Sequence, residues 1–304
     1  MDRVDTLAVF VAVAELGSFV AAAQRLGRSP ASVTRAVAAL EERLGTRLLN
    51  RTTRAVAPTD AGARYLDLCR RLLSEFEEFE AAAAGEQSEP KGLLTVTAPT
   101  MFGRLHVVPV VQTFMRDHPA IDVNLVLLDR MVAFVDEGID VGIRIGHLPD
   151  SSLRAVLVGA VRRVVCASPA YLLDHGIPET PHDLARHRVI AVTGVTPAPD
   201  RWVFADPGAA PGGGMAVPVR PKLVVNSVEA GVDVALGGGG LTRLLSYQSA
   251  VHEAAGALQR VLRAYEPPPV PIHIVHPAGR YLPIKVRRFI DSAAVALRRI
   301  FEAG

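Results

Sequence analysis

The sequence is poor in cysteine and has no long apolar run. It contains two cysteines, Cys69 and Cys166, among 304 residues, and their wide separation gives no basis for a disulfide framework or a cysteine metal site. No uninterrupted apolar stretch reaches the roughly 18 residues that cross a membrane. The apolar segment near the N-terminus is flanked by acidic residues and lacks a signal-peptide cleavage pattern. We therefore expect a cytoplasmic protein with no membrane partner.

Signals of catalysis and of cofactor binding are also scarce. The run from Gly237 to Gly240 lacks both a following Gly-Lys-Ser/Thr and the spacing of a dinucleotide-binding loop, so we interpret it as a turn between a helix and a strand. His273 and His276 would point to opposite faces of a strand, and His182 and His187 have no third ligand nearby. No Gly-x-Ser-x-Gly elbow or catalytic triad is present. We expect neither an enzyme, nor a cofactor, nor a metal site.

Charge is unevenly distributed, although the net charge is only +2. Arginines outnumber acidic residues through position 58, whereas acidic residues outnumber arginines from 59 to 87. A basic first domain followed by an acidic helix is typical of a DNA-contacting head on a solvated stalk. An ordinary fluctuation of surface charge is the alternative.

Three helices are predicted in the first 44 residues. The first runs from about Arg3 to Leu16, and Ser18 to Leu26 forms the second. Ser29 is a good N-cap, Pro30 suits a first helical turn, and apolar residues recur every three or four positions as far as Leu44. Two helices joined by a tight turn suggest a helix-turn-helix, whose second helix enters the major groove of DNA.

A short arginine-rich segment follows this helix pair. Residues 46–58 carry two β-prone runs around positions 50–53, which is the pattern of a winged helix-turn-helix. Arg47, Arg51 and Arg54 have no acidic residue between them, so a wing beside the groove would neutralise phosphates. An ordinary surface hairpin is the alternative.

A long helix is predicted from Asp60 to about Ala84, with Thr59 as its cap. At 1.5 Å per residue it spans roughly 40 Å. Its two rows of apolar residues form more apolar surface than a single thin packing partner would cover, which favours a dimer seam. The alternative is that the helix packs on its own head domain. A dimer would place two such helix-turn-helix units about one turn of DNA apart (~34 Å), as a palindromic site requires.

Residues 85–91 have the composition of a linker, and strands and helices alternate after them. Strands at 93–98, 121–127 and 139–145 with helices at 102–117 and 131–137 predict βαβαβ and a parallel sheet. The remaining predicted elements are strands at 163–167, 189–192, 222–225 and 271–276 and helices at 169–175, 228–236 and 284–301. We interpret residues 196–218 as a mobile surface excursion with Trp202 packed on the second lobe. Two α/β lobes leave a cleft where small ligands bind.

Several stretches resemble one known family, the LysR-type transcriptional regulators. They are FVAVAELGSFVAAAQRLGRSPASVTRAVAALEERLGTRLLNRTTR and TDAG in the first domain, and TVTAPTMFG, EGIDVGIRIGHLPDSSL and VVNSVEAGVDVALGGGGLTRL after the linker. The resemblance is strong in residues 1–65, looser beyond them, and covers essentially the whole chain.

This resemblance implies an architecture and a function. The fold class would be α/β, with a winged helix-turn-helix (1–58), a linker and dimerisation helix (59–90) and a two-lobed effector domain like a periplasmic binding protein (91–304). Lobe one would comprise 91–162 and 267–304, and lobe two 163–266. A homodimer or homotetramer would bind promoter DNA, and a small-molecule effector in the cleft would alter its contacts with DNA and RNA polymerase. The alternative is a solute-binding protein of a transport system, which would not need residues 1–58.

The resemblance also implies functional residues. Carried onto matching positions, the DNA contacts of the family are Ser29, Pro30, Ser32, Thr34, Arg35, Arg51 and Arg54. The sequence does not decide whether Arg35 reaches a guanine or a phosphate.

The implied effector site lies where the first strand of lobe one meets its helix, at Ala98, Pro99 and Thr100. Thr100 would cap that helix, whose free N–H groups favour an anion such as a carboxylate, and a plain N-cap is the alternative. Arg144 would be a carboxylate partner or part of a structural salt bridge. Thr193 and Asn226 are weaker candidates across the cleft.

Overall fold

The chain forms two compact units, Met1–Leu93 with Ala120–Asp122, and Leu94–Pro119 with Val123–Gly304. The computed structural model describes residues 2–51, 56–83, 89–148, 153–193, 200–208, 213–278 and 282–301. None of the helices within these residues is long and apolar enough to cross a membrane.

The first unit is a winged helix-turn-helix followed by a long helix, as the sequence predicts. Its elements are α1 (Arg3–Leu16), α2 (Phe19–Arg25), α3 (Pro30–Leu44), β1 (Leu49–Arg51), β2 (Val56–Pro58) and α4 (Asp60–Ala83). The predicted caps are confirmed, since Ser18 Oγ accepts from Ala21 N and Ser29 Oγ accepts from Ser32 N. Helix α3 ends at Gly45, whose φ of 63° is left-handed and favours glycine.

One apolar core holds the helices of this unit together. It contains Phe10, Val13, Val37 and Leu40 among its fully buried residues, and α4 contributes Leu66 and Cys69. The start of α4 therefore packs on its own head domain, which was the alternative to a dimer seam. Other apolar side chains of α4 are exposed, namely Leu68 (49% exposed), Leu72 (55%) and Phe76 (42%).

Polar contacts join α3, the wing and α4. Glu41 Oε1 accepts hydrogen bonds from the backbone N–H groups of Leu48 (2.8 Å) and Leu49 (3.0 Å). The Thr59 hydroxyl donates to Arg47 O (2.9 Å) and accepts from Gly62 N (2.9 Å). A Cβ at Gly62 would collide with the carbonyl of Leu48. The TDAG motif thus combines a helix cap with a glycine that lets two backbones approach closely.

The second unit contains two five-stranded sheets. The first sheet has β3 (Gly92–Ala98), β4 (Ile121–Leu127), β5 (Val141–Ile145), β6 (Leu153–Val161) and β14 (Val270–Pro277), in the order β4-β3-β5-β14-β6. The second sheet has β7 (Arg163–Ala167), β8 (Val189–Val192), β11 (Pro221–Val225), β12 (Leu241–Leu245) and β13 (Gln259–Val261), in the order β11-β8-β12-β7-β13.

Helices pack on these sheets. They are α5 (Thr100–Phe102), a π-helical turn (Gly103–Val107), α6 (Val108–Asp117), α7 (Pro169–His175), α8 (Val228–Leu236), α9 (Ser246–Ala254) and α10 (Ile284–Phe301). The two-lobed α/β organisation that the sequence predicts is confirmed. The chain passes between the sheets after β6 and again before β14, so each lobe has its own sheet.

The prediction of a parallel sheet is confirmed only in part, because the sheet is mixed. Strands β3 and β5 are parallel, but β14 pairs antiparallel with both β5 and β6. The second sheet is also mixed, because β12 runs parallel to β8 and antiparallel to β7. The strand from the C-terminal part of the chain returns into the first sheet, and local βαβ patterns contain no information about such a return.

The predicted helix at 131–137 is absent, and this segment forms turns. An ion pair holds it, since Arg130 donates to both carboxylate oxygens of Glu137 (2.8 and 2.6 Å). Glu137 also accepts from the backbone N–H of Ala133 (3.1 Å). The side chain of Glu137 therefore satisfies the backbone locally in place of helical hydrogen bonds.

The interpretation of residues 196–218 as a mobile excursion is wrong for its described part. Residues Arg201–Ala205 (β9) and Gly214–Pro218 (β10) form an antiparallel hairpin. Trp202 is only 2% exposed and packs with Phe204 and Val217 in the core of the second lobe, which confirms the predicted packing of Trp202. Residues 196–199 and 209–212 lie outside the described part of the chain.

Replacing Gly62 by alanine tests the close approach at the TDAG motif. Alanine normally stabilises a helix by up to about 1 kcal/mol over glycine, yet here we expect a net loss of about 1–3 kcal/mol because Cβ overlaps the Leu48 carbonyl. Chemical denaturation of Gly62→Ala measures the effect, with Ala63→Ser on the exposed neighbouring position as the control. A stabilised Gly62→Ala variant would contradict the packing described here.

Burial predicts that both cysteines are unreactive in the folded protein. Burial raises the pKa of the Cys166 thiol to about 12 and that of Cys69 to about 11, so at pH 8 only about one thiol in a thousand, or fewer, is ionised. We expect negligible iodoacetamide labelling of the native protein over an hour and labelling at both positions in guanidinium. Rapid stoichiometric labelling of the native chain would contradict this.

Candidate DNA-binding surface and ligand cavity

The start of α3 presents a short polar surface. Ser29, Pro30 and Arg35 are exposed, and Ser32 and Thr34 are half-buried. The Thr34 hydroxyl donates to Pro30 O (2.9 Å) and the Nε of Arg35 donates to Ala31 O (3.3 Å). The hydroxyl oxygen of Thr34 and the remaining N–H groups of Arg35 stay available for an acceptor or donor outside the chain.

A shallow groove runs beside this surface. Its volume is about 410 Å³, and it is lined by Thr6, Ser32, Arg35, Ala36, Ala39, Leu40 and Arg43. The charged groups of this lining are both arginines, about two turns apart on α3. The groove is therefore cationic along one flank of the helix.

The wing carries the other predicted DNA contacts. Strands β1 and β2 pair antiparallel with Arg51 opposite Val56, so the predicted wing hairpin is confirmed. Arg54 and the side chain of Arg51 lie outside the described part of the structure.

A cavity of about 200 Å³ lies between the two sheets of the second unit. Strand ends and helix starts from both lobes line it, with Pro99, Met101, Leu128, Asp129, Arg130, Met131, Arg144 and Ile145 on one side and Arg163, Val228, Leu245, Tyr247, Gln248 and Val270 completing it. Most of these side chains are apolar, and the charged ones are grouped at a few points. This composition suits a small organic molecule with a polar group.

The predicted effector residues differ in whether they line this cavity. Pro99 and Arg144 line it, whereas Ala98, Thr100, Thr193 and Asn226 do not. Thr193 N–H donates to Val225 O (2.8 Å) and its hydroxyl donates to the same oxygen (3.3 Å), so Thr193 and Asn226 lie beside each other at the ends of β8 and β11.

The predicted capping role of Thr100 is wrong. Pro99 is the N-cap, it supplies no side-chain hydrogen bond, and Thr100 is already the first helical residue. The Thr100 N–H donates to Asp129 Oδ1 (3.0 Å). A carboxylate of the protein therefore occupies the helix start at which we expected a ligand anion.

Arg144 is held at the wall of the cavity with part of its guanidinium unsatisfied. Its Nη1 donates to Ile143 O (2.9 Å), and the guanidinium lies over the Phe134 ring, 5.5 Å from the centroid. Its Nη2 is buried and has no hydrogen-bond partner among the described residues. Burial lowers the pKa of Arg144, and the nearby charge of Glu137 opposes this shift. Glu137 forms its ion pair with Arg130, and among the described residues Arg144 makes no ion pair.

Sequence reasoning missed five polar residues of the cavity, namely Asp129, Arg130, Arg163, Tyr247 and Gln248. Gln248 accepts from Leu245 N (2.8 Å) and donates to the Tyr247 hydroxyl (3.1 Å), and burial raises the pKa of Tyr247. These residues come from β7, α9 and the loop after β4. Of these residues, only Arg163 could have been noticed in the sequence, because it is a charged residue at the start of a predicted strand that is otherwise apolar.

Comparisons with known proteins agree with this two-unit architecture. Residues 4–63 match the bacterial regulatory helix-turn-helix protein, lysR family, and residues 87–297 match the LysR substrate binding domain. An HTH-type transcriptional regulator of Xanthomonas campestris pv. campestris is 36% identical, covering 95% of this chain and 84% of that protein. PtxR, an HTH-type transcriptional regulator of Pseudomonas aeruginosa, is 35% identical, covering 96% and 92%.

A solved structure extends the similarity to the fold. CrgA, a LysR-type transcriptional regulator from Neisseria meningitidis, has a TM-score of 0.60 and 29% identity, and the match covers 98% of this chain and 99% of CrgA. These findings give no support to the alternative of a transport solute-binding protein. The resemblance predicted from the sequence is confirmed, and the chain belongs to the LysR family of helix-turn-helix transcriptional regulators.

Proposed function

We propose that this chain is a cytoplasmic, ligand-responsive regulator that reads promoter DNA through α3 and holds the DNA backbone through its wing. The proposed contacts are Ser29, Pro30, Ser32, Thr34, Arg35, Arg51 and Arg54. The observation that carries the proposal is the polar and cationic start of α3, exposed beside a groove that Arg35 and Arg43 line. Hydroxyl groups and arginines on one helix face suit both phosphate and base-edge contacts. The chain itself would carry out no catalysis.

The exposed apolar row on α4 supports a homodimer or a homotetramer. Leu68, Leu72 and Phe76 recur at four-residue spacing and are 42–55% exposed on one helix, which is unfavourable for a solitary helix in water. A second copy of α4 would cover this row and bring a second α3 to the DNA. Contact with RNA polymerase would follow from promoter binding.

We place the effector in the cavity between the two sheets. Support comes from the mostly apolar lining and from Arg144, whose buried Nη2 lacks a partner in the described part of the chain. Ala98, Pro99, Thr100, Thr193 and Asn226 remain proposed effector residues around it, and an anionic ligand suits the arginines. The proposed division is 1–58 for DNA binding, 59–90 for dimerisation and 91–304 for the effector, with lobes 91–162 plus 267–304 and 163–266.

Removing the wing arginines should weaken binding to all DNA sequences. For the double variant Arg51→Ala with Arg54→Ala we expect the slope of log affinity against log salt to become less steep by about 0.9 for each lost phosphate contact, or about 1.8 for each protomer bound. Fluorescence anisotropy with the DNA upstream of the protein's own coding sequence measures this slope. Arg116→Ala, an exposed arginine of the second unit, is the control. An unchanged slope in the double variant would contradict the wing contacts.

A further inference from the structure

Two arginines lie side by side on one face of the second sheet. In the antiparallel pair β7 and β12, Arg163 is opposite Leu245 and Arg243 is opposite Val165. Arg243 and Leu245 are two residues apart, so their side chains share a face with Arg163. Arg163 and Arg243 are thus diagonal neighbours, within reach of each other for long side chains.

Neither guanidinium is neutralised by another residue of the described part of the chain. Both side chains are half-buried, and among the described residues neither makes a hydrogen bond or an ion pair. Burial lowers the pKa of Arg163, and burial together with the charge of Arg163 lowers the pKa of Arg243 to about 10. Arg243 lies over the Trp202 ring, 5.2 Å from the centroid, but a ring face only partly replaces an anion.

The nearby carboxylates have other partners. Asp129 accepts from Thr100 N, Glu137 binds Arg130, and Glu229 accepts from the Ser227 hydroxyl. Two like charges withdrawn from water and left unpaired are unfavourable for the folded protein. An anion bound from outside would remove this cost.

The arginine face opens into the cavity between the sheets. Arg163 and Leu245 line the cavity, and Arg243 is the next residue on the same face of β12. The rest of the lining includes Met101, Leu128 and Val270. At about 200 Å³, the cavity exceeds the roughly 150 Å³ that accommodates benzene in an apolar protein cavity. It therefore has room for one six-membered ring, or a short chain, and a carboxylate.

We propose that Arg163, with Arg243 behind it, binds the carboxylate of a small organic acid whose apolar part packs against Met101, Leu128 and Val270. Arg163 makes the direct contact, and Arg243 strengthens the positive field at the same point. This inference rests on the proposed role of the cavity as the effector site. The proposed anion site therefore lies on the second sheet and not at the start of α5, where Asp129 already accepts a hydrogen bond from Thr100 N.

A matched panel of ligands tests the chemistry. Benzoate, cyclohexanecarboxylate and hexanoate should raise the melting temperature of the full-length protein and bind in calorimetry, whereas benzamide, which has the shape of benzoate without its charge, should not. Acetate and inorganic phosphate should bind much more weakly, because they leave the apolar part of the cavity empty. Binding of benzamide or of inorganic phosphate as tight as that of benzoate, or no binding of any carboxylate, would overturn the proposal.

Variants of Arg163 test the residue. Arg163→Met should weaken carboxylate binding about 10- to 100-fold, as expected for a lost charged hydrogen bond, while Arg163→Lys retains part of the affinity. The melting temperature of ligand-free Arg163→Met should equal or exceed that of the parent protein, because one of two like charges is removed. Arg162→Met is the control, since Arg162 is exposed and does not line this cavity. A lower melting temperature with unchanged carboxylate affinity would assign Arg163 a structural role and overturn the proposal.

A DNA-binding measurement on the same protein distinguishes a failure of the anion site from a failure of the proposed regulator function. If carboxylates fail to bind while the protein still binds its upstream DNA, the anion site is wrong and the regulator function stands. If benzoate binds through Arg163 but the protein binds no DNA, the anion site stands and the proposed regulation fails.

Discussion

The carboxylate of Glu41 and the hydroxyl of Thr59 fix the positions of α3, the wing and α4 relative to one another. Glu41 extends from α3 and binds two successive backbone N–H groups at the start of the wing, while Thr59 ties the same segment to the first turn of α4. A buried or half-buried backbone N–H or C=O group needs a hydrogen-bond partner, and side chains supply it where the chain turns sharply. These hydrogen bonds join α3, the wing and the first turn of α4 within the first unit.

The first unit was predictable nearly to the residue because its boundaries are set locally. Serine caps, a proline in the first turn and a glycine after the last turn specify α2 and α3 without help from distant residues. The second unit was less predictable, because the strands that the sequence analysis did not predict depend on long-range pairing. Strand β6 acquires its role from β14, more than 100 residues later, and the hairpin around Trp202 lies in a segment whose proline and glycine content suggested a loop.

A cavity between the two lobes, and part of its lining, were predictable from the sequence. A cleft with arginine was expected, and Pro99 and Arg144 do line the cavity. Thr100 was assigned a free helix start because the sequence does not show that Asp129, 29 residues later, already binds there. Arg163 and Arg243 lie 80 residues apart and become neighbours only through the pairing of β7 with β12. The juxtaposition of these two arginines is thus a consequence of topology.

The central claim is that this protein binds duplex DNA as a symmetric assembly through the start of α3. A footprint of the full-length protein on the DNA upstream of its own coding sequence tests it most directly. We expect two protected segments about one helical turn apart (~34 Å between centres), and we expect them to disappear when Arg35 is replaced by alanine. The claim would be contradicted if the parent protein were monomeric and left this DNA unprotected, so that its footprint did not differ from that of the Arg35→Ala variant.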